Sequence, residues 1–255
     1  MDIEINYLEK PELDNPIFVE GLPGVGNVGR IAVSYLIDKL KAKKFAEIKS
    51  LYFFPLVLVD SKNEISPISI DLYYYKGKKD IIFVVGDSQP VDYKGYYLLC
   101  KKLIEIGLEF NIKEIITTGG FGIGVEKQKP NVLSAMTNPK NLARLKKAGV
   151  HFEKENPIGS IFGVSGLLLS FGKEKGIDGF SLLGETMGYP IITDPKAAEN
   201  VLKVLMNLLE VNIDLKDIDK SVKQLEIFMK TIEDKTKQLM QQFQKPGKSY
   251  SEYIE

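Results

Sequence analysis

The stretch FVEGLPGVGNVGRIA, residues 18–32, sets the reading of the whole chain. An apolar run leads into Gly24-Val25-Gly26-Asn27-Val28-Gly29, and apolar residues follow at Ile31, Val33, Leu36, Ile37 and Leu40. Apolar residues at that spacing share one face of a helix. The G-x-G-x-x-G pattern between a strand and a helix lets backbone N–H groups approach a phosphate at the helix N-terminus. Three details oppose a dinucleotide. Leu22 and Pro23 widen the turn. The place for a ribose-binding acid, about 20 residues on, holds Ser50 and Leu51, with Glu47 at the start of that strand. Arg30 and Ile31 stand where a P-loop has Lys and a magnesium-binding hydroxyl. The favoured reading is structural: Gly24, Gly26 and Gly29 close a tight strand-to-helix turn, and no cofactor is expected.

Outward from this turn, strand and helix signals alternate. AEIKSLYFF and LVLVD are strand-like, separated at Pro55, which cannot donate to a sheet ladder. ISIDLYYYKGKKDIIFVV reads as an antiparallel hairpin turning at residues 76–79. A helix is predicted over 91–108, the strand EIITT follows, then a helix near 141–147 and a short strand around His151. GSIFGVSGLLLSFGKEKG reads as a loop and an apolar helix, and GFSLLGE as a strand. The fold class expected is α/β: three layers, a mixed and largely parallel sheet with helices on both faces.

The last sixty residues change character. Asp194-Pro195 is a helix start, Asp as cap and Pro in the first turn. A second helix then carries Leu215, Ile218, Val222, Leu225, Met229, Ile232, Leu239 and Phe243 in 3-4-3-4 spacing, with Thr236 in register. A strict 3.5-residue repeat makes a narrow seam that wants a partner helix. That partner is either the helix over 196–210 or another subunit, which predicts a homo-oligomer. The expected organisation is an α/β core over 1–193, a helical extension over 194–245 and a flexible tail over 246–255.

Bulk composition narrows the function classes. The 255 residues are 44% hydrophobic, enough for a sizeable core, and the net charge is zero, which does not suit a nucleic-acid partner. The opening MDIEINYLEK lacks an apolar h-region and predicts no signal peptide. The most apolar run, LYFFPLVLV, is too short to span a bilayer. One cysteine, Cys100, excludes an internal disulfide and fits a reducing cytoplasm. Few Cys, no Trp and many Lys, Glu and Ile point to a thermophile. A lone histidine, His151, leaves little for a metal site or a Ser-His-Asp triad, and no metal is expected.

Chemistry-bearing residues cluster where predicted strands end: GDSQP (86–90), TTGGFGIG (117–124) and GET (184–186). Ligands of open α/β sheets bind at such strand ends. Asp87 and Glu185 there could form an acid–base pair; the alternative, favoured here, is that Asp87 and Ser88 cap a helix and Glu185 pairs with a lysine. No nucleophile–base pair is evident, so no catalytic residue is expected. Ser165 in GVSGL misses the G-x-S-x-G pattern at its last position. Cys100 lies on the apolar side of a helix and reads as core.

FVEGLPGVGNVGRIA, GDSQP, ITTGGFG, SGLLLSFG and LLGETMGYP, in this order and spacing, together resemble the PAC2 family, the archaeal relatives of the eukaryotic proteasome assembly chaperones. The resemblance implies a phosphorylase-like α/β fold, homo-oligomers and C-terminal helices extending from the body. It implies a binding role, with proteasome α-subunits or a sibling assembly factor as partner. It also supports the structural reading of the glycine loop. Family members that act on proteasomes commonly end in hydrophobic–Tyr–X. This chain ends in Tyr253-Ile254-Glu255, with tyrosine third from last rather than second. These three residues are the candidate partner-binding tail. The competing expectation is an enzyme using the crevice between residues 21–29, Asp87, Gly119-Gly120 and Glu185, acting on a nucleoside-like or phosphorylated small molecule.

Overall fold

The structure, a computed structural model, describes residues 2–59, 62–188, 193–216 and 218. Four parallel strands make the middle of one sheet: β2 (Ile17–Gly21), β7 (Ile81–Gly86), β8 (Glu114–Gly122) and β10 (Asp178–Thr186). Beyond β7 lie β6 (Ile70–Tyr75), β3 (Lys43–Ser50) and β1 (Ile3–Tyr7), and beyond β10 lies the short β9 (Val132–Leu133). The order across the sheet is β1-β3-β6-β7-β2-β8-β10-β9. A separate hairpin pairs β4 (Val57–Val59) with β5 (Ile65–Pro67).

The central strands carry apolar residues on both faces because helices cover both. In β2, Ile17 and Val19 face a core shared with α1 (Val28–Leu40), α3 (Leu142–Ala148) and α5 (Pro195–Leu209). Phe18 faces the other core, with α2 (Tyr93–Glu109) and α4 (Val164–Glu174). Each fully buried Ile, Leu or Phe in these layers contributes roughly 1.5–3 kcal/mol over its exposed state. Helix starts follow their capping residues. Asp92 Oδ1 accepts from Gly95 N at 2.8 Å, and Asp194 Oδ1 accepts from Ala197 N at 2.9 Å with Pro195 behind it.

Three layers are thus present, but the expectation of a largely parallel sheet needs correction. Three of the seven pairings in the sheet are parallel and four antiparallel, so the sheet is mixed. The cause lies in connection length. Short turns join β6 to β7 and allow only antiparallel pairing, whereas helices carry β7 to β8 and β8 to β10 in parallel. The strand expected around His151 does not form; His151 N instead donates to Val132 O at 2.8 Å.

α5, which the sequence assigned to the start of the extension, packs into the core beside α1, with Val201, Leu202, Leu205 and Leu209 fully buried. The first two seam positions also join that core: Ile218 is buried and Leu215 packs partly against it. Tyr35 donates its hydroxyl to Asp214 O at 2.8 Å and fixes the chain there. The remaining seam positions, Val222 to Phe243, and the tail Tyr253-Ile254-Glu255 lie outside the described residues.

Candidate functional site

The parallel strands all end at one edge of the sheet, and the glycine turn lies across it. β2 stops at Gly21, a one-turn 3-10 segment spans Val25–Asn27, and α1 begins at Val28. Gly29 brings α1 down onto β8: a Cβ at this position would lie 2.6 Å from both Thr118 O and Thr118 Oγ1. Gly26 has φ 63°, in the left-handed region that favours glycine. Gly24 differs. Its backbone is extended, and a Cβ there would meet only Gln89 Nε2, at 4.0 Å. Two of the three glycines therefore serve backbone packing, and the third leaves open space.

Arg30, at the P-loop lysine position, is turned inward. Its Nη2 lies 3.2 Å from Asp87 Oδ1, and Asp87 Oδ2 accepts from Ser69 N at 3.2 Å. Burial raises the Asp87 pKa, and Arg30 and the Ser69 amide offset this only in part. Glu185, also buried, accepts from Lys127 Nζ at 2.7 Å and from Asn131 N at 2.8 Å. Burial works to raise its pKa too, but these two donors outweigh burial and hold it below the ordinary carboxylate value. Asp87 and Glu185 do not meet. They stand beyond the ends of β7 and on β10, three strand spacings apart in the sheet order, about 14 Å. The lysine expected beside Glu185 is Lys127, and the helix cap after β7 is Asp92 rather than Asp87 or Ser88.

One pair the sequence did not show is present. Glu20 is fully buried at the end of β2. Its Oε1 accepts from Leu22 N at 2.8 Å and its Oε2 from Ser165 Oγ at 2.9 Å. Burial pushes its pKa up to about 7, against the opposing hydrogen bonds of Leu22 and Ser165. The hydroxyl and the carboxylate lie 145 positions apart in the chain and are brought together only by the fold. The bond also ties β2 to the first turn of α4. Cys100 is buried beneath, its thiol 3.9 Å from Val164 O and its pKa raised by burial, and it is core as expected.

Above Ser165 opens a cavity of about 610 Å³, walled by the loop after β2, the end of β8 and the segment before α4. Gln89 braces it: Nε2 donates to Pro23 O at 2.6 Å and Oε1 accepts from Val164 N at 3.1 Å. Asn27 also lines it. Among the described residues no cluster of His, Cys, Asp or Glu is arranged to hold a metal ion, and no helix is long and apolar enough to cross a membrane.

Comparison with known proteins gives a consistent result. A model of the PAC2 family matches residues 18–233. The crystal structure of Pyrococcus furiosus PbaB, an archaeal proteasome activator, is 37% identical, covers 91% of this chain and 99% of its own, and superposes with a TM-score of 0.81. That of P. furiosus PbaA, an archaeal homolog of proteasome-assembly chaperone, is 29% identical over 93% of this chain and 100% of its own, with a TM-score of 0.75. An uncharacterized protein of Methanocaldococcus jannaschii is 36% identical over 77% of this chain and 74% of its own length.

Proposed function

We propose that this chain, which belongs to the PAC2 family, is a binding protein of the proteasome system, an assembly-chaperone-like or activator-like factor that acts by docking. The observation that carries this reading is the near full-length likeness to an archaeal proteasome activator. Neither PbaB nor PbaA is described as an enzyme. The enzyme reading, with its phosphorylase-like crevice, loses support on geometry: Arg30 and Lys127 occupy the two carboxylates it needed, and Gly29 is pressed against Thr118.

The docking element proposed is the tail Tyr253-Ile254-Glu255, and the target proteasome α-subunits or a sibling assembly factor, in the cytoplasm. Proteasome core particles and free α-subunits from the same organism, mixed with the full chain and with a chain lacking residues 250–255, test this on native gels. Tail-dependent co-migration is expected. Equal binding by both forms would move the contact to the body, and no binding by either would end the proteasome reading.

Self-association is proposed to use the seam from Val222 onward, since Leu215 and Ile218 are spent on the chain's own core. Leu225→Lys with Ile232→Lys places two charges in that seam and is expected to lower the mass measured by light scattering. An unchanged mass would remove the seam from assembly.

A further inference from the structure

The hairpin of β4 and β5 presents an apolar face to solvent. Its register sets Val57 opposite Pro67 and Val59 opposite Ile65. Side chains alternate along a strand, so these four share one face. Val57 is 49% exposed, Val59 55% and Ile65 71%, and Pro67 is exposed as well. Leu58, between the two valines, turns the other way and packs on the core of α2 and α4, as does Leu56. The run Leu56-Val57-Leu58-Val59 is therefore apolar on both faces, the pattern of a strand covered on both sides, yet only one side is covered.

The hairpin also stands apart from the main sheet, and among the described residues neither of its outer edges pairs with a third strand. Two strands alone are marginal in water; a further strand or a second layer is needed to hold them. More apolar surface lies where the segment before β4 meets the start of α2. Leu51 is exposed there, and so is Val91, whose N–H donates to Tyr52 O at 2.9 Å. Apolar surface concentrated in this way marks a contact with another molecule.

We infer that this face docks on the same face of a second copy of the chain, hairpin against hairpin about a two-fold axis. The four side chains carry no charge, so an identical face meets them without like-charge repulsion, and the pair makes the two-layer packing that one hairpin lacks. A partner recognised through charge would find no complementary group on this face. The chain beyond Ile218 starts from the other side of the sheet: Leu215 and Ile218 lie in the core of α1 and α5, whereas the hairpin packs on the core of α2 and α4. A handful of side chains is fewer than the roughly 20–30 residues a side of a standard interface, so the contact acts together with the seam. The inference rests on the self-association proposed above and gives it a surface on the body.

The test uses the full chain with Ile65→Cys or Val59→Cys. Cys100, the one native cysteine, is buried, so the introduced thiol is the one open to reagents. A bis-maleimide with a spacer of about 10 Å, the separation of two packed sheets, is expected to link two copies through either position. Leu8→Cys is the control. Leu8 is 57% exposed and its N–H donates to Phe45 O near the start of β3, whereas the hairpin follows the end of that strand. It should not link. Val59→Lys with Ile65→Lys changes only exposed positions and should weaken self-association, followed by sedimentation, about tenfold. Light scattering of the native chain separates the two readings. A monomer would overturn self-association and the hairpin contact with it. An oligomer in which Ile65→Cys and Val59→Cys link no faster than Leu8→Cys would overturn the hairpin contact alone and leave the seam.

Discussion

Gly29→Ala is expected to destabilise the protein by about 3 kcal/mol, although alanine favours helix over glycine by about 1 kcal/mol. The added methyl would sit 2.6 Å from the carbonyl oxygen and hydroxyl of Thr118, and 2.8 Å from its carbonyl carbon. Backbone atoms of a central strand cannot step aside as a flexible side chain can. β8 is held on both sides, by β2 and by β10, so α1 itself must lift and give up part of the burial of Ile31, Val33 and Leu36. Gly24→Ala is the matched control. Its backbone is extended and its surroundings open, so the change should fall within about 0.5 kcal/mol. Urea unfolding of the two variants reads the contrast directly. If both cost the same, the glycine pattern is not organised by the contact of α1 with β8, and the case for a loop kept open for a ligand backbone strengthens.

That contrast also separates what the residues specify locally from what only the fold brings together. The apolar stripe from Ile31 to Leu40 gave α1 its face, and Asp194-Pro195 gave α5 its start, because both signals are local. Pairing direction is not local. Nothing in IEINY or KKFAEIKS says whether its neighbour runs parallel, so the antiparallel pairings of β1 with β3 and of β3 with β6 were hidden and β1 was missed altogether, whereas the antiparallel hairpin of β6 with β7 was legible in its short turn at residues 76–79. The candidate site was hidden for a related reason. Glu20 ends an apolar strand and looks like the first solvated residue after it, yet Ser165, 145 positions away, closes over it. Ser165 was set aside for want of a histidine, and the carboxylate that accepts its proton could be found only through the crossing of β2 and α4. Asn27 likewise reads as one more turn residue until the cavity beside it is seen.

Glu20→Gln is expected to make the protein more stable near pH 8 and to flatten its stability profile between pH 5 and 8. The native pKa of Glu20 is about 7, against an ordinary value of 4.5, because burial penalises the charged form. Below 4.5 the carboxyl is protonated in folded and unfolded chains alike, and burial of this group carries no charge penalty. As pH rises, the unfolded chain releases the proton first while the native chain keeps it. Stability therefore falls by about 1.4 kcal/mol per pH unit until the native group ionises, about 3 kcal/mol in all, and stays lower above that. Glutamine removes the charge and keeps both contacts. Its Oε1 can accept from Leu22 N, and its amide can donate to Ser165 Oγ, whose proton then turns to Thr118 O at 3.4 Å. Denaturant unfolding of both proteins at pH 5 and pH 8 decides the matter through the change in their difference, which cancels every other titrating group. A difference that grows by about 3 kcal/mol in favour of the variant identifies Glu20 as a charge buried at the expense of stability beneath the cavity. Parallel profiles would mean that Glu20 ionises as freely in the folded chain as in the unfolded one, and that the floor of the cavity admits water.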